Sequence, residues 1–191
     1  MLFFMTAPGF WTVKITDYRE DKSWNYKRYV IIANHLSFID SLVLVCIPLK
    51  KKFIISQVFT KIPIFGFLTR ISGFVPAERG KPEINKYAVE RSIRTMQLDY
   101  SSLVVFPEAR REIVPYQLED FRTGAYRIAR ATNTPILPVT LKDTHIGMGF
   151  GAIVDYANIE IFIDEPFKVE KEDNQFYIEY SKKIFSKNLR F

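Results

Sequence analysis

Short apolar stretches with the spacing of β-strands recur along the chain. Trp11, Val13 and Ile15 alternate with polar residues, which predicts a strand with one buried face. Residues 29–33 (YVIIA) are apolar without a break, as in a strand that is covered on both faces. Five more strands are predicted at residues 53–55, 73–76, 103–106, 136–141 and 159–163.

Helical spacing appears between these strands and after the last of them. Apolar residues recur at intervals of three or four in three stretches: Val89, Ile93 and Met96; Phe121, Ala125 and Ile128; and Phe176, Tyr180 and Ile184. Strands that alternate with such helices predict an α/β fold with a largely parallel central sheet flanked by helices. No repeat or Gly/Ser linker interrupts residues 1–191, so we expect a single domain.

The charge balance and the cysteine count narrow the classes of partner and site. The 27 basic residues outnumber the 21 acidic ones, which favours anionic partners such as a lipid headgroup surface, an acidic carrier protein or nucleic acid. One cysteine and two histidines allow neither an internal disulfide nor the usual Cys/His zinc cluster. We therefore expect no metal site, and the lone Cys46 suits a reducing compartment.

Two apolar segments bear on membrane contact. Residues 42–49 form the longest apolar stretch after the first strand, far short of the roughly 20 residues of a transmembrane helix. Residues 1–11 (MLFFMTAPGFW) are apolar and aromatic but lack the basic head of a secretory signal. We expect this start to be either a membrane-lying segment or a buried strand.

Several common catalytic and binding motifs are absent from the sequence. The nearest approach to a phosphate-binding P-loop, at residues 73–82, has the wrong spacing and a proline where the hydroxyl should stand. The nucleophile elbow GxSxG of serine hydrolases does not occur. Most basic residues are scattered and no aromatic RNA-binding signature accompanies them, so we do not expect nucleic-acid binding.

The stretch NHLSFID, residues 34–40, follows a predicted strand and sets His35 and Asp40 five positions apart. A histidine at a strand end is often only a structural residue. A carboxylate that fixes the imidazole tautomer, however, makes it a useful general base near neutral pH. We expect a turn into a helix to fold Asp40 back toward the ring, with Ser37 as the helix cap.

A histidine base needs a nucleophile to act on. Neither Cys46 nor any serine in a recognisable elbow supplies one within the chain. The substrate is therefore expected to bring its own hydroxyl. Removal of that proton as the hydroxyl attacks an activated carbonyl makes the reaction a direct acyl transfer, without a covalent enzyme intermediate.

Two further polar clusters follow predicted strands. FPEARRE supplies Glu108, Arg110 and Arg111, and VPAERGK supplies Arg79 and Lys81. The planar fork of arginine can bind two oxygens of a phosphate at once. Each basic residue alone fits a solvated surface charge, but three polar clusters after three strands favour a common anion site at one edge of the sheet.

Four blocks of the sequence, in this order, resemble the glycerolipid acyltransferase family typified by 1-acylglycerol-3-phosphate acyltransferase. The blocks are NHLSFID; KIPIFGFL with GFVPAERG; FPEARRE; and FRTGAYRIA with TPILPVTL. They extend over residues 34–141. The resemblance implies the α/β fold of that family, with His35 as general base and Asp40 as its partner.

The same resemblance places Arg79, Glu108 and Arg111 at the site for a phosphorylated acceptor. This chain departs from the family pattern in the third block, where Ala109 and Arg110 replace the usual Gly-Thr. We assign Arg110 to the acceptor site as well, because it adds a charge there. The extra charge leaves open an acceptor other than plain lysophosphatidate.

The resemblance implies a glycerolipid O-acyltransferase that moves a fatty acyl group from acyl-CoA or acyl carrier protein to a lysophospholipid hydroxyl, converting lysophosphatidate to phosphatidate in phospholipid biosynthesis. It implies no cofactor beyond the acyl donor. Alternatives are another acceptor (glycerol 3-phosphate, another lysolipid or an amino-lipid), a hydrolase, and a non-catalytic lipid-binding module.

The expected location is peripheral to the membrane, on its cytoplasmic face. Many relatives carry a membrane anchor before the first block, so this chain is expected to be either peripheral or a fragment. Phe38, Phe59, Phe65 and Phe67 are expected either to line an acyl-chain groove or to belong to the core.

Overall fold

The strands and helices follow the alternation that the apolar pattern predicts. The computed structural model describes residues 3–7, 11–24, 27–78, 80–110, 114, 116–149, 152–153 and 157–189. The strands are β1 (Phe3–Ala7), β2 (Trp11–Asp17), β3 (Val30–Ala33), β4 (Lys51–Ser56), β5 (Val75–Ala77), β6 (Ser102–Val105), β7 (Ile136–Lys142), β8 (Met148–Gly149), β9 (Ala152–Ile153) and β10 (Ala157–Ile163). The helices are α1 (Asp40–Val45), α2 (Gln57–Thr60), α3 (Pro63–Ile71), α4 (Pro82–Leu98), α5 (Gly124–Ala131), α6 (Thr144–Gly147) and α7 (Asn174–Leu189).

Eight of these strands form one open sheet in the order β1-β2-β10-β7-β3-β6-β4-β5. The central strand β3 runs parallel to β6 and β7, and β4 runs parallel to β5 and β6. Antiparallel pairing occurs between β10 and β7 and between β1 and β2. The predicted largely parallel sheet is therefore confirmed. The start of the chain contributes a strand, β1, to its edge.

The pleat of β3 explains why its sequence is apolar at every position. Side chains on a strand alternate between the two faces of the sheet. Ile31 and Ala33 pack on one face with residues of α1, whereas Val30 and Ile32 pack on the other with residues of α4, α5 and α7. All four β3 side chains are fully buried. Helices thus cover both faces of the sheet, as predicted.

Helices α4 and α5 lie where the apolar spacing predicts them, and so does α7, but the predicted face of α7 is wrong. Phe176 and Tyr180 are exposed, while Tyr177 and Phe185 are buried. The Tyr177 ring stacks on Phe167, and its hydroxyl accepts hydrogen bonds from two backbone N–H groups of the preceding segment. These polar contacts turn the adjacent face of the helix toward the sheet.

The segment between β3 and β5 contains three short helices, α1 to α3. The first follows directly from the loop after β3, and the other two connect β4 to β5. Within the described part of the chain, no helix combines the length and the apolar character needed to cross a bilayer. Helix α2 begins where β4 ends and contacts both β4 and β5.

Candidate active site

The carboxyl ends of β3, β6 and β7 bring three distant parts of the sequence together. The β3–β7 ladder ends where Ala33 pairs with Val139. Two residues further along β7, the Leu141 N–H donates to Asn34 Oδ1 at 2.8 Å, and Asn34 Nδ2–H donates to the Leu141 carbonyl at 2.9 Å. The buried side-chain amide thus replaces the peptide group that a longer β3 would have offered. It fixes the start of the loop that carries His35.

Asp40 folds back onto the His35 ring, as the spacing predicts. His35 Nδ1 lies 2.7 Å from Asp40 Oδ2. The same oxygen accepts hydrogen bonds from the backbone N–H groups of Leu36, at 2.7 Å, and Ser37, at 2.8 Å. The Asp40 side chain is fully buried, and α1 begins at this residue. Backbone hydrogen bonds within the turn therefore hold the Asp40 carboxylate in position in the absence of substrate.

This contact determines which ring nitrogen can react. A neutral imidazole whose Nδ1–H donates to Asp40 carries its lone pair on Nε2. The His35 side chain is 20% exposed, so it is accessible although its partner is not. The arrangement can accept a proton at Nε2 and stabilise the resulting imidazolium through Asp40.

The β6 end holds His35 from the opposite side. The Phe106 ring stacks on the imidazole with centroids 4.1 Å apart. Glu108 Oε1 accepts the His35 backbone N–H at 3.1 Å, and Oε2 accepts the Glu119 N–H at 3.2 Å. Glu108 is almost completely buried. It therefore connects the His35 loop to the segment that follows β6. The family resemblance places Glu108 at the acceptor site and does not predict this contact.

The two residues after Glu108, Ala109 and Arg110, are those that depart from the family pattern in the third block. Ala109 has φ 56°, in the left-handed region that favours glycine. Arg110 forms an ion pair with Glu119 and is about half exposed. This arginine is thus held near the segment that Glu108 binds.

The remaining predicted residues have mixed outcomes. Arg79 and Arg111 lie outside the described residues, and their roles stay predictions. Lys81 pairs with Glu78 at 2.9 Å just before α4. The prediction that Ser37 caps α1 is wrong, because the residue before the helix is Ile39 and no side chain caps it. The Ser37 hydroxyl instead accepts the Ile39 N–H at 3.4 Å, within the turn.

The sequence also left open whether four phenylalanines belong to the core. Phe38 and Phe67 are exposed, and Phe59 is half-buried against the edge of Phe38, with ring centroids 6.4 Å apart. The Phe65 side chain lies outside the described part. Phe38 and Phe67 are therefore surface residues, not core residues.

No cluster of metal-ligating side chains accompanies the dyad. Among the residues that the structure describes, no three His, Cys, Asp or Glu side chains group together in a way that could hold a metal ion.

Similarity to known proteins agrees with this geometry. A family model described as Acyltransferase matches residues 14–142. The chain is 30% identical over 146 residues to a chloroplastic 1-acyl-sn-glycerol-3-phosphate acyltransferase of Brassica napus, covering 75% of this chain and 42% of that protein. The corresponding protein of Arabidopsis thaliana is also 30% identical over 146 residues, with 75% and 40% covered. The chain thus spans about two fifths of the length of these curated relatives.

A solved structure shares the fold. The crystal structure of the 1-acyl-sn-glycerophosphate (LPA) acyltransferase PlsC from Thermotoga maritima superposes with a TM-score of 0.75 at 19% identity, covering 92% of this chain and 70% of that one. The family model spans the four blocks and the strands that carry them. By the match to its family model and its relatives, this chain belongs to the acyltransferase family.

Proposed function

We propose that this chain transfers a fatty acyl group from a thioester donor to the free hydroxyl of lysophosphatidate, giving phosphatidate. The observation that carries the proposal is the 2.7 Å contact between His35 Nδ1 and buried Asp40, which leaves Nε2 as the accessible base. The names of the relatives support the choice of acceptor, since they act on 1-acyl-sn-glycerol 3-phosphate.

The proposed reaction is a direct displacement at the thioester carbonyl. His35 Nε2 takes the proton of the acceptor hydroxyl as that oxygen forms a bond to the carbonyl carbon. The carbon–sulfur bond breaks, and the imidazolium returns the proton to the departing sulfur, which leaves as a thiol. Asp40 stabilises the imidazolium in between, and no enzyme side chain is acylated.

The acceptor phosphate has several proposed ligands. Arg79, Arg110 and Arg111 follow strands whose carboxyl ends lie at this edge of the sheet, and a guanidinium can bind two phosphate oxygens. For Glu108, the backbone contacts support a positioning role toward His35 in addition to its assigned place in the acceptor site. Arg110 would reach the phosphate only by sharing or leaving its pair with Glu119.

The proposal also includes the acyl donor, acyl-CoA or acyl carrier protein, and a location at the membrane surface. Acyl-CoA and acyl carrier protein are both anionic, and the formal charge of +6 favours either. A lysophospholipid acceptor resides in a bilayer, which supports peripheral association with a membrane, and the cytoplasmic face supplies the acyl thioesters.

Thiol release from a long-chain acyl thioester tests the proposal. It would be measured in detergent with no acceptor, with lysophosphatidate, and with a panel of other hydroxyl acceptors that includes glycerol 3-phosphate, with the lipid product identified by mass spectrometry. Release that requires lysophosphatidate and yields phosphatidate supports the proposal. Acceptor-independent release identifies a thioesterase, release with only another acceptor changes the substrate, and no release with any acceptor leaves a lipid-binding module.

A further inference from the structure

The segment from α1 to α3 exposes an unusual number of large apolar side chains. Nine of the seventeen exposed large apolar side chains in the described part of the chain lie between residues 38 and 71. We call these nine the apolar face: Phe38, Leu42, Val45, Val58, Ile62, Ile64, Phe67, Leu68 and Ile71. Ile64 and Phe67, on α3, are 73% and 64% exposed. A concentration of exposed apolar side chains in one segment indicates an interaction site.

Charge distinguishes this face from the rest of the surface. Residues 41–77 contain five basic side chains and no aspartate or glutamate, although the chain as a whole has 21 acidic residues. Lys61 and Arg70 are exposed beside the apolar residues of α2 and α3 and form no ion pair with any acidic residue in the described ranges. Lys50 and Lys52 of the same segment pair with Asp99, so the basic residues that mark this face are Lys61 and Arg70. An apolar surface flanked by such basic residues complements an anionic lipid surface.

The face has a defined shape. Gly66 approaches the Thr60 carbonyl so closely that a Cβ at residue 66 would overlap that oxygen. This contact packs α3 tightly against α2. Pro63 begins α3 at a position where a missing N–H costs nothing. The two helices therefore form one packed unit, and exposed apolar side chains lie on both of them.

The face is continuous with the candidate active site. Phe38 lies between His35 and Asp40 in the sequence, is exposed, and contacts Phe59 near the start of the α2–α3 pair. A bilayer that covers Phe38 comes within a few residues of the reactive imidazole. The hydroxyl of a lysophospholipid lies near the boundary between headgroups and acyl chains, which is the layer that an interfacial apolar surface reaches.

We propose that the apolar face inserts into the interfacial layer of an anionic phospholipid bilayer and thereby presents His35 to membrane-resident substrate. The choice of substrate rests on the proposed function, but docking does not require turnover. Exposed apolar side chains supply the hydrophobic contribution, and Lys61 with Arg70 supply the attraction to anionic headgroups.

Vesicle co-sedimentation of the full chain tests the proposal. The probes are vesicles of phosphatidylcholine alone and vesicles of about three parts phosphatidylcholine to one part phosphatidylglycerol. The test variant, called the α3 variant, is Ile64→Ser with Ile71→Ser. The matched control is Leu98→Ser with Phe176→Ser, which removes two large apolar side chains of comparable exposure from α4 and α7. All four positions are exposed, and thermal unfolding of each variant checks that the fold is retained.

The proposal predicts that the wild-type chain prefers the anionic vesicles and that the α3 variant binds them about 10–100-fold more weakly. The control variant should bind like the wild type, and Lys61→Glu with Arg70→Glu should remove the preference for anionic lipid. Equal binding by the α3 variant and the wild type would overturn the proposal. A wild-type dimer that the α3 variant dissociates, with unchanged vesicle binding, would overturn it in favour of a second copy on this face.

Turnover of monomeric short-chain substrates separates this proposal from the proposed function. The α3 variant should process a water-soluble short-chain lysophosphatidate and acyl thioester at the wild-type rate. Lost docking with intact solution turnover is the predicted result. Docking without any turnover by the wild type would leave the docking surface in place and reject the proposed function.

Discussion

The side-chain amide of Asn34 is expected to be a major local contributor to stability. Both of its hydrogen bonds go to the backbone of Leu141, a residue with no exposed surface. In Asn34→Ala, the Leu141 N–H and carbonyl lose their partners inside the protein. Each buried backbone group left without a partner costs about 1–3 kcal/mol. We therefore expect the free energy of unfolding to fall by about 2–6 kcal/mol, a large part of the total for an ordinary domain.

Equilibrium urea unfolding followed by circular dichroism measures this change. The matched control is Asn158→Ala, which makes the same chemical change at an exposed position of β10 in the same sheet. The control removes one exposed hydrogen bond, from the Thr12 hydroxyl to Asn158 Oδ1, and is expected to lower the free energy of unfolding by about 1 kcal/mol or less. Asn34→Asp adds a second test, because it keeps an acceptor but sets a second oxygen against the Leu141 carbonyl. It should be as destabilising as alanine at neutral pH.

The reasoning fails if Asn34→Ala unfolds within experimental error of Asn158→Ala. It also fails if Asn34→Asp is as stable as the wild type, since the donor to Leu141 would then be dispensable. The expected loss depends on the position of Asn34 at the end of β3, where its amide replaces a missing peptide group.

Three further predictions concern stability. Ala109→Gly should raise the free energy of unfolding by about 1 kcal/mol, because it relieves a left-handed backbone conformation; a lower urea midpoint would contradict this. Lys50 and Lys52 lower the pKa of Asp99, so its stabilising effect is present above the usual value of 3.8 and is lost as the pH falls through the lowered value. Asp99→Asn should therefore cost about 1 kcal/mol or less at neutral pH, and urea unfolding in acid should show no such gap. Burial raises the pKa of Asp164, so its charged form opposes folding as the pH rises above 3.8. Asp164→Asn should consequently be more stable than the wild type at neutral pH, and an equal or lower thermal midpoint would refute the assignment.

Two kinds of pattern predict strands correctly: the unbroken apolar run of β3, and the contrast between the two faces of β2. The alternation at Trp11, Val13 and Ile15 matches β2, in which Val13 and Ile15 are buried. The predicted face of α7 is wrong because Tyr177, an amphipathic side chain, is buried through hydrogen bonds that spacing alone does not reveal.

Helices α2 and α3 show a different limit. Helical periodicity is detected when one face is apolar and the opposite face is polar. Helices α2 and α3 are only four and nine residues long, and their exposed positions include Val58, Ile64 and Phe67, so the apolar positions do not mark a face packed on the sheet. The feature that hid the helices from sequence analysis is the same one that suggests a bilayer as their partner.

The candidate site contains local contacts, which the sequence predicts, and contacts between distant residues, which it does not. His35 and Asp40 are five residues apart, and a single turn joins them. Glu108 reaches the His35 backbone across 73 residues, and Asn34 reaches Leu141 across 107. The order of the strands in the sheet creates these long-range contacts, and a motif in one stretch of sequence does not contain that order.

The central claim is that His35, held by Asp40, removes the proton of the acceptor hydroxyl. The most direct measurement is the initial rate of phosphatidate formation from a long-chain acyl thioester and lysophosphatidate by the wild type, His35→Ala and His145→Ala, the second being a matched change at the other histidine of the chain. The account predicts that His35→Ala lowers the rate by about 10²–10⁴-fold, while His145→Ala retains most of it. A His35→Ala rate close to that of the wild type would contradict the account.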